Sequence, residues 1–311
     1  MSQSGGESCN YLRLEDRLLM DNLISIVIPT YNRIKDLSRC LELIRMQDVQ
    51  QWEIELIIVD DGSSDGTEGM MKEIQQEGCL NLKYIRQNNQ GPAVARNIGI
   101  REAMGVIIVF IDDDSFVQPG WLTELLKPFS VGDSKIAGVR GEVISDNDDP
   151  SSLSAELGKH IYASKPRTSA TNNMAYRKDV LLEVGLFDER FKYAAGEDTD
   201  LGSRVKDLGY QIAFAPEAVV RHPHENSWDI FRRKSIVRGM GAAIYFKKWI
   251  FKYPPRSLNV FRPLKAWCYI PLLIFSPDVF SGGWRGAYIL AYHKRFVLQG
   301  FLRELFLSQT K

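Results

Sequence analysis

The 311-residue chain has only four cysteines, Cys9, Cys40, Cys79 and Cys268, and they stand far apart with no CxxC pair. That spacing excludes a zinc ribbon and a thioredoxin-type redox motif, and it predicts a reducing, cytoplasmic compartment. An excess of one charge is also missing: 39 Lys and Arg balance 39 Asp and Glu, so the whole chain names no polyanionic partner. No run reaches the roughly 18 uninterrupted apolar residues of a spanning helix. The best, Ala266 to Pro277, has the length of a core or interfacial segment. The first twenty residues carry Glu7, Arg13, Glu15, Asp16 and Arg17 and lack the apolar stretch of a signal peptide. Where a dinucleotide-binding enzyme would show GxGxxG after its first strand, this chain reads Pro29-Thr30-Tyr31-Asn32-Arg33. GxxxxGK[ST] is absent throughout, which excludes a P-loop kinase, and no glycine-rich, lysine-bearing loop of a sugar nucleotidyltransferase follows the first strand.

What is present is ordinary globular composition, 44% hydrophobic and 25% charged, with length for one large domain or a smaller one plus an appendage. The balanced charge hides an asymmetry. From Trp228 onward there are 15 Lys and Arg against three acids, so the two parts carry about +12 and −12. We read residues 1–22 as a leader, 23–227 as a catalytic domain and 228–311 as a basic, aromatic, helical region.

Between Leu23 and Asp114 short Ile/Val-rich runs alternate with amphipathic ones, the pattern of βα units around a largely parallel sheet. Strands are expected at Ile24–Ile28, Ile54–Val59, Leu82–Ile85 and Val106–Ile111. Helices are expected through Ile34, Leu37, Leu41 and Ile44, after an Asp65 N-cap, and from Pro92. Further on, the sequence predicts a helix at Trp121–Phe129, a strand at Ile136–Ser145, a loop at 146–170 and a strand at Met174–Arg177. Helices at Val180–Val184 and Asp200–Leu208 and separate strands at Gln211–Ala215 and Ala218–Arg221 complete the reading.

Two acidic clusters end buried strands. In Val59-Asp60-Asp61-Gly62 the carboxylates sit where open α/β sheets bind ligands, and they can accept hydrogen bonds from a uracil imide or ribose hydroxyls. Asp60 and Asp65 fit turn and cap roles equally well. Asp112-Asp113-Asp114 sets three like charges together, and oxygen-only ligation of that kind suits a hard cation such as Mg2+ or Mn2+.

These clusters, with Ser25-Ile26-Val27-Ile28-Pro29-Thr30-Tyr31-Asn32-Arg33, Gly91-Pro92-Ala93-Val94-Ala95-Arg96-Asn97 and Gly196-Glu197-Asp198-Thr199-Asp200-Leu201, resemble the ordered motifs of family 2 glycosyltransferases from about Leu23 to Trp228. The resemblance implies a GT-A fold: a Rossmann-like mixed sheet flanked by helices. It also implies an inverting transfer from a nucleotide-diphosphate sugar to an acceptor hydroxyl in polysaccharide, lipid-linked or envelope glycan synthesis. By the same likeness Pro29, Tyr31 and Asp61 contact the base, Arg96 helps hold the donor, Asp114 binds the metal, and Asp112 touches ribose or metal with Asp113 beside it. Asp198 becomes the general base. His222 completes the metal shell, with His224 as the other choice. Asn173 and Glu197 fall on the acceptor side. A non-catalytic nucleotide-sugar-binding module is the alternative.

The basic tail interleaves Arg232, Arg233, Lys234, Arg238, Lys247 and Lys248 with Phe231, Tyr245, Phe246, Trp249 and Phe251. Such a mixture fits an anionic membrane surface on the cytoplasmic side and equally a helix packed on the catalytic domain. No recognition fold accompanies the charge, so nucleic acid is not an expected partner.

Overall fold

Alternation of side chains along the strands sorts the core into two layers. Ile24, Ile26 and Ile28, with Leu56, Ile58, Ile107 and Val109, face one way and are fully or almost fully buried. Val27, Ile57, Val59, Ile108 and Phe110 face the other. Both faces therefore need a helical cover. The computed structural model describes residues 22–48, 52–78, 80–145, 170–223, 227–250 and 295–306. The expected leader, the expected loop at 146–169, His224, and the basic tail at 251–294 and 307–311 lie outside these.

In order, the described elements begin with β1 (Leu23–Thr30), α1 (Ile34–Arg45), β2 (Glu53–Asp60), α2 (Thr67–Glu77), β3 (Leu82–Arg86), α3 (Pro92–Glu102) and β4 (Ile107–Phe110). Then come β5 (Phe116–Val117), α4 (Trp121–Leu126), β6 (Ile136–Ser145), β7 (Met174–Arg177), α5 (Lys178–Glu183), α6 (Glu197–Asp207), β8 (Gln211–His222) and α7 (Trp228–Ile250). A last helix, α8, covers 295–306. The eight strands form one sheet in the order β3-β2-β1-β4-β7-β6-β8-β5. β1, β2, β3 and β4 run parallel, whereas β7 is antiparallel to both β4 and β6. β1 lies between β2 and β4, so strand order reverses there, and the crevice at its carboxyl end is where such sheets bind ligands.

α1 and α4 cover the first face through Leu37, Cys40, Leu41, Ile44, Trp121 and Leu125; Cys40 is a buried free thiol. α3, α5 and α6 cover the second through Ala93, Ile100, Val180, Leu181, Leu201 and Val205.

Local chemistry moved several boundaries. α2 is capped by Gly66 in the left-handed region, and Asp65 stands one residue further out, accepting bonds from the Thr67 amide and hydroxyl and the Ile34 amide. The helix at Trp121 ends at Leu126 and continues as a 3-10 turn, Lys127–Val131, that contains Pro128. The two strands expected around Pro216 are one strand, β8, with a register break at which Gly141 pairs with Ala215 and Glu142 with Val219. α6 starts at Glu197, three residues earlier than its apolar periodicity signals.

α7 is seated on α6 and the segment before it. The Lys248 ammonium reaches Asp188 and Asp200 at 2.8 Å, the Trp249 indole N–H donates to Asp200 at 2.9 Å, and the Tyr245 and Ser203 hydroxyls meet at 3.1 Å. α8 covers a different side of α7, with Phe246 against Phe301 and Lys247 bonded to the Glu304 carbonyl. No helix among the described residues is long and apolar enough to cross a membrane.

Candidate active site

The polar groups gather at the carboxyl ends of β1, β2 and β4. β4 is buried on every residue and delivers Asp112, Asp113 and Asp114 at its exit. β8 delivers His222, because its pairing with β5 (Phe116 opposite Arg221) brings the end of that strand beside the acidic triplet. His222 Nε2 lies 3.0 Å from Asp114 Oδ1, and ligand atoms of Asp112, Asp114 and His222 all fall within 4.8 Å of one another. Two carboxylates and an imidazole at that spacing are a donor set suited to Mn2+ or a similar divalent ion.

Asp113 turns away from this trio. It accepts from the Thr30 hydroxyl at 2.8 Å and from Arg33 at 3.1 Å, and is almost fully buried, so it braces the end of β1 where a donor contact was expected. Arg33 also bonds Asp114. Burial, with the adjacent Asp114 and Asp112 charges, outweighs Arg33 and Thr30 and pushes the Asp113 carboxyl up to about 7. Burial acts upward on Asp114 too, but the His222 hydrogen bond and charge and the Arg33 charge hold it well below the usual carboxylate range. In return Asp114 raises His222 above the ordinary imidazole value against the effect of burial.

Arg96, in the first turns of α3, is buried and donates to Asp112 at 2.8 Å and Glu197 at 3.0 Å. It was expected to help hold the donor, and it ties Asp112 to Glu197. Glu197 and Asp198 open α6, where the helix dipole favours acids. Glu197 is likewise buried. Burial and the Asp198 charge raise its carboxyl to about 8 despite Arg96. Asp198 remains partly exposed, accepts from the Thr199 amide at 2.6 Å, and its charge is felt at Arg96 and Tyr176.

At the other side of the crevice Asp61 accepts amide protons from Gln90 at 2.8 Å and Gly91 at 2.9 Å, fixing the loop that leads into α3. Gly91 sits at φ 94°, and a Cβ there would lie 2.3 Å from the Lys192 carbonyl oxygen, so only glycine fits between the two segments. Pro29 is the penultimate residue of β1, and Tyr31, 49% exposed, stands on the rim beside them. Asp60 holds the turn through Ser63 and Tyr84.

Asn173 does not line the crevice. Its side chain has no exposed surface, accepts from the Trp121 indole at 2.8 Å and donates to the Glu142 and Ala218 carbonyls at 2.8 Å. Expected on the acceptor side, it ties β6 and β8 together at their register break. Arg33 was missed as a contact of the triplet although it lies within the first motif, and Lys234 of α7, whose charge acts on Asp114 and His222, was read only as part of the basic tail.

The pattern described as Glycosyl transferase family 2 matches residues 25–185, and the one described as Glycosyl transferase family group 2 matches residues 107–276. The chain belongs to glycosyl transferase family 2. Among its relatives, glycosyltransferase AglE of Haloferax volcanii is 26% identical over 223 residues, 68% of this transferase and 70% of that protein. Chondroitin synthase of Escherichia coli is 28% identical over 265 residues, 71% of this chain and only 38% of its own length. A Methanococcus voltae enzyme named dolichyl N-acetyl-alpha-D-glucosaminyl phosphate 3-beta-D-2,3-diacetamido-2,3-dideoxy-beta-D-glucuronosyltransferase is 24% identical over 258 residues, 75% of this chain and 78% of that one. The mannosyltransferase PcManGT of Pyrobaculum calidifontis, solved with GDP-Man and Mn2+, shares the GT-A fold: TM-score 0.66 at 19% identity, over 93% of the transferase and 88% of that chain.

Proposed function

We propose that this transferase moves a sugar, with inversion at the anomeric carbon, from a nucleotide-diphosphate sugar to an acceptor hydroxyl during glycan assembly. The single observation that carries the reading is the convergence of Asp112, Asp114 and His222 within 4.8 Å, with Arg96 linking Asp112 to the start of the helix that bears Asp198. Asp112, Asp114 and His222 would hold the divalent ion, Mn2+ or Mg2+. Bound there, the ion supplies Lewis-acid stabilisation of charge on the departing diphosphate.

The protein's own groups do the rest. Tyr31 offers an open aromatic face at the rim for the base, with Pro29 and the Asp61-anchored loop behind it. Arg96 orients Asp112. Asp198, partly open at the start of α6, takes the proton of the acceptor hydroxyl as that oxygen bonds to the anomeric carbon. The carbon–oxygen bond to phosphate breaks, and its electron pair leaves with the nucleoside diphosphate. Fixed carboxylates and cations on strand ends give the orientation that such a displacement needs.

The Methanococcus voltae relative's name supports a lipid-linked acceptor. The exposed Trp228, Ile230, Arg232 and Arg233 near the start of α7 support peripheral contact with an anionic membrane from the cytoplasmic side. Incubation with uridine, guanosine and thymidine diphosphate sugars and Mn2+ tests the reading. Release of nucleoside diphosphate from at least one donor is expected, whereas binding without release from any donor would favour a non-catalytic module.

A further inference from the structure

α7 turns one stripe toward the catalytic domain, and three contacts fix which one. Gly241 is pressed so close to Ala195 that a Cβ would lie 1.9 Å from the Ala195 carbonyl oxygen. The Tyr245 hydroxyl meets Ser203, and the Lys248 ammonium meets Asp188 and Asp200. At about 100° per residue, positions 241, 245 and 248 share one face, and the same face continues toward the N-terminus through Arg238 and Lys234. The segment it covers leads directly into Gly196, Glu197 and Asp198.

Lys234 is therefore on the stripe that packs on the catalytic domain, in the helix that follows His222, and its charge is felt at both Asp114 and His222. The neighbouring basic residues are not on that stripe. Arg233 lies about 100° around the helix, exposed and bonded to the Asp229 carbonyl. Arg232, about 160° around, pairs with Asp229 at 3.5 Å.

Charge bookkeeping gives this cation a task. The carboxylates of Asp112 and Asp114 together cancel a divalent ion, and Arg33 and Arg96, bonded to those same acids, are the nearby cations left to meet the two charges of a sugar diphosphate. That diphosphate gains a further negative charge when the sugar leaves. A fixed cation aimed at charge that develops in the reaction is worth most in a site partly shielded from water, and a lysine on a flexible stem serves as a point charge for phosphate.

We propose that Lys234 is a diphosphate-binding residue of the donor site, so that the docked C-terminal helix completes that site. The inference rests on the nucleotide-sugar reading above. Its test is calorimetric binding of uridine, guanosine and thymidine diphosphates to the full chain with Mn2+. For whichever diphosphate binds the wild type, Lys234→Gln is expected to weaken affinity about tenfold or more, as for loss of one charge-assisted contact. Lys234→Arg should recover most of the loss, and Arg233→Gln should stay within about twofold, which calibrates the effect of removing one positive charge elsewhere on the helix. Circular dichroism and melting temperature accompany each variant, and rescue by Lys234→Arg separates lost charge from lost fold. Equal affinity of Lys234→Gln and wild type, or an equal loss in Arg233→Gln, overturns the proposal. A wild type that binds none of the three diphosphates overturns the nucleotide-sugar reading beneath it, and that failure is seen before any substitution is made.

Discussion

Replacing Asn173 with alanine separates a core role from an acceptor role. The amide satisfies three groups at once: the indole N–H of Trp121 and the carbonyls of Glu142 and Ala218. Alanine would strand two of them in fully buried surroundings and the third in a part-buried one. A buried polar group left unpaired costs about 1–3 kcal/mol, so Asn173→Ala should lose roughly 3–5 kcal/mol of stability. For a domain of this size each kcal/mol moves the melting temperature by about 2–4 °C, which puts the expected fall at roughly 6–20 °C. Thermal unfolding followed by circular dichroism reads the loss. Transfer kinetics below the variant's melting temperature should show an acceptor KM close to that of the wild type. A variant as stable as the wild type but with an acceptor KM raised about tenfold would refute this reasoning and return Asn173 to the acceptor side.

Asp198→Asn should lower transfer by three orders of magnitude or so while donor affinity stays within about twofold, since the amide cannot take a proton; turnover within tenfold of the wild type would remove Asp198 as the base. The Asp188 carboxyl shows a pH dependence of known sign. Burial alone would raise it, but bonds from Arg190 and Lys248 hold it well below the usual range. A depressed acid contributes stability that is present above its unfolded value near 4 and disappears as pH falls through its folded one. Denaturant unfolding of wild type and Asp188→Asn should therefore differ at pH 7 and converge at strongly acid pH; a difference that persists unchanged there would contradict the link.

Much of the fold could be read because strands buried on both faces must be continuous Ile/Val runs and helices between them must show apolar spacing. β6 and β7 begin and end where the sequence places them. Reading failed where tertiary partners, not periodicity, set the boundary. Glu197 and Asp198 carry no apolar signal, so α6 read as starting at Asp200, yet the dipole and Arg96 extend it upstream. Pro216 looks like a strand break, but the sheet accommodates it as a register shift. The two-residue β5 is too short to show alternation, although it carries the pairing that sets His222 beside the triplet.

The site divides in the same way. Asp112, Asp114 and His222 were legible as ligand types at strand ends, and they meet. Asp113, Arg96, Glu197 and Asn173 are buried and bonded to other protein groups, and burial of a polar side chain leaves no mark in a single sequence. Lys234 left a signal that was passed over: Lys234, Arg238, Gly241, Tyr245 and Lys248 recur every three or four residues, a polar stripe with one glycine, as expected of a helix face that packs on an acidic neighbour.

The central claim is that Asp112, Asp114 and His222 together hold one divalent ion at the donor site. Electron paramagnetic resonance of Mn2+, titrated into the chain with a saturating nucleoside diphosphate, tests it most directly. One bound Mn2+ per chain is expected for the wild type, and Asp114→Ala should leave the ion off the chain, in its complex with the nucleotide, over the same range. Undiminished Mn2+ binding by Asp114→Ala would contradict the account.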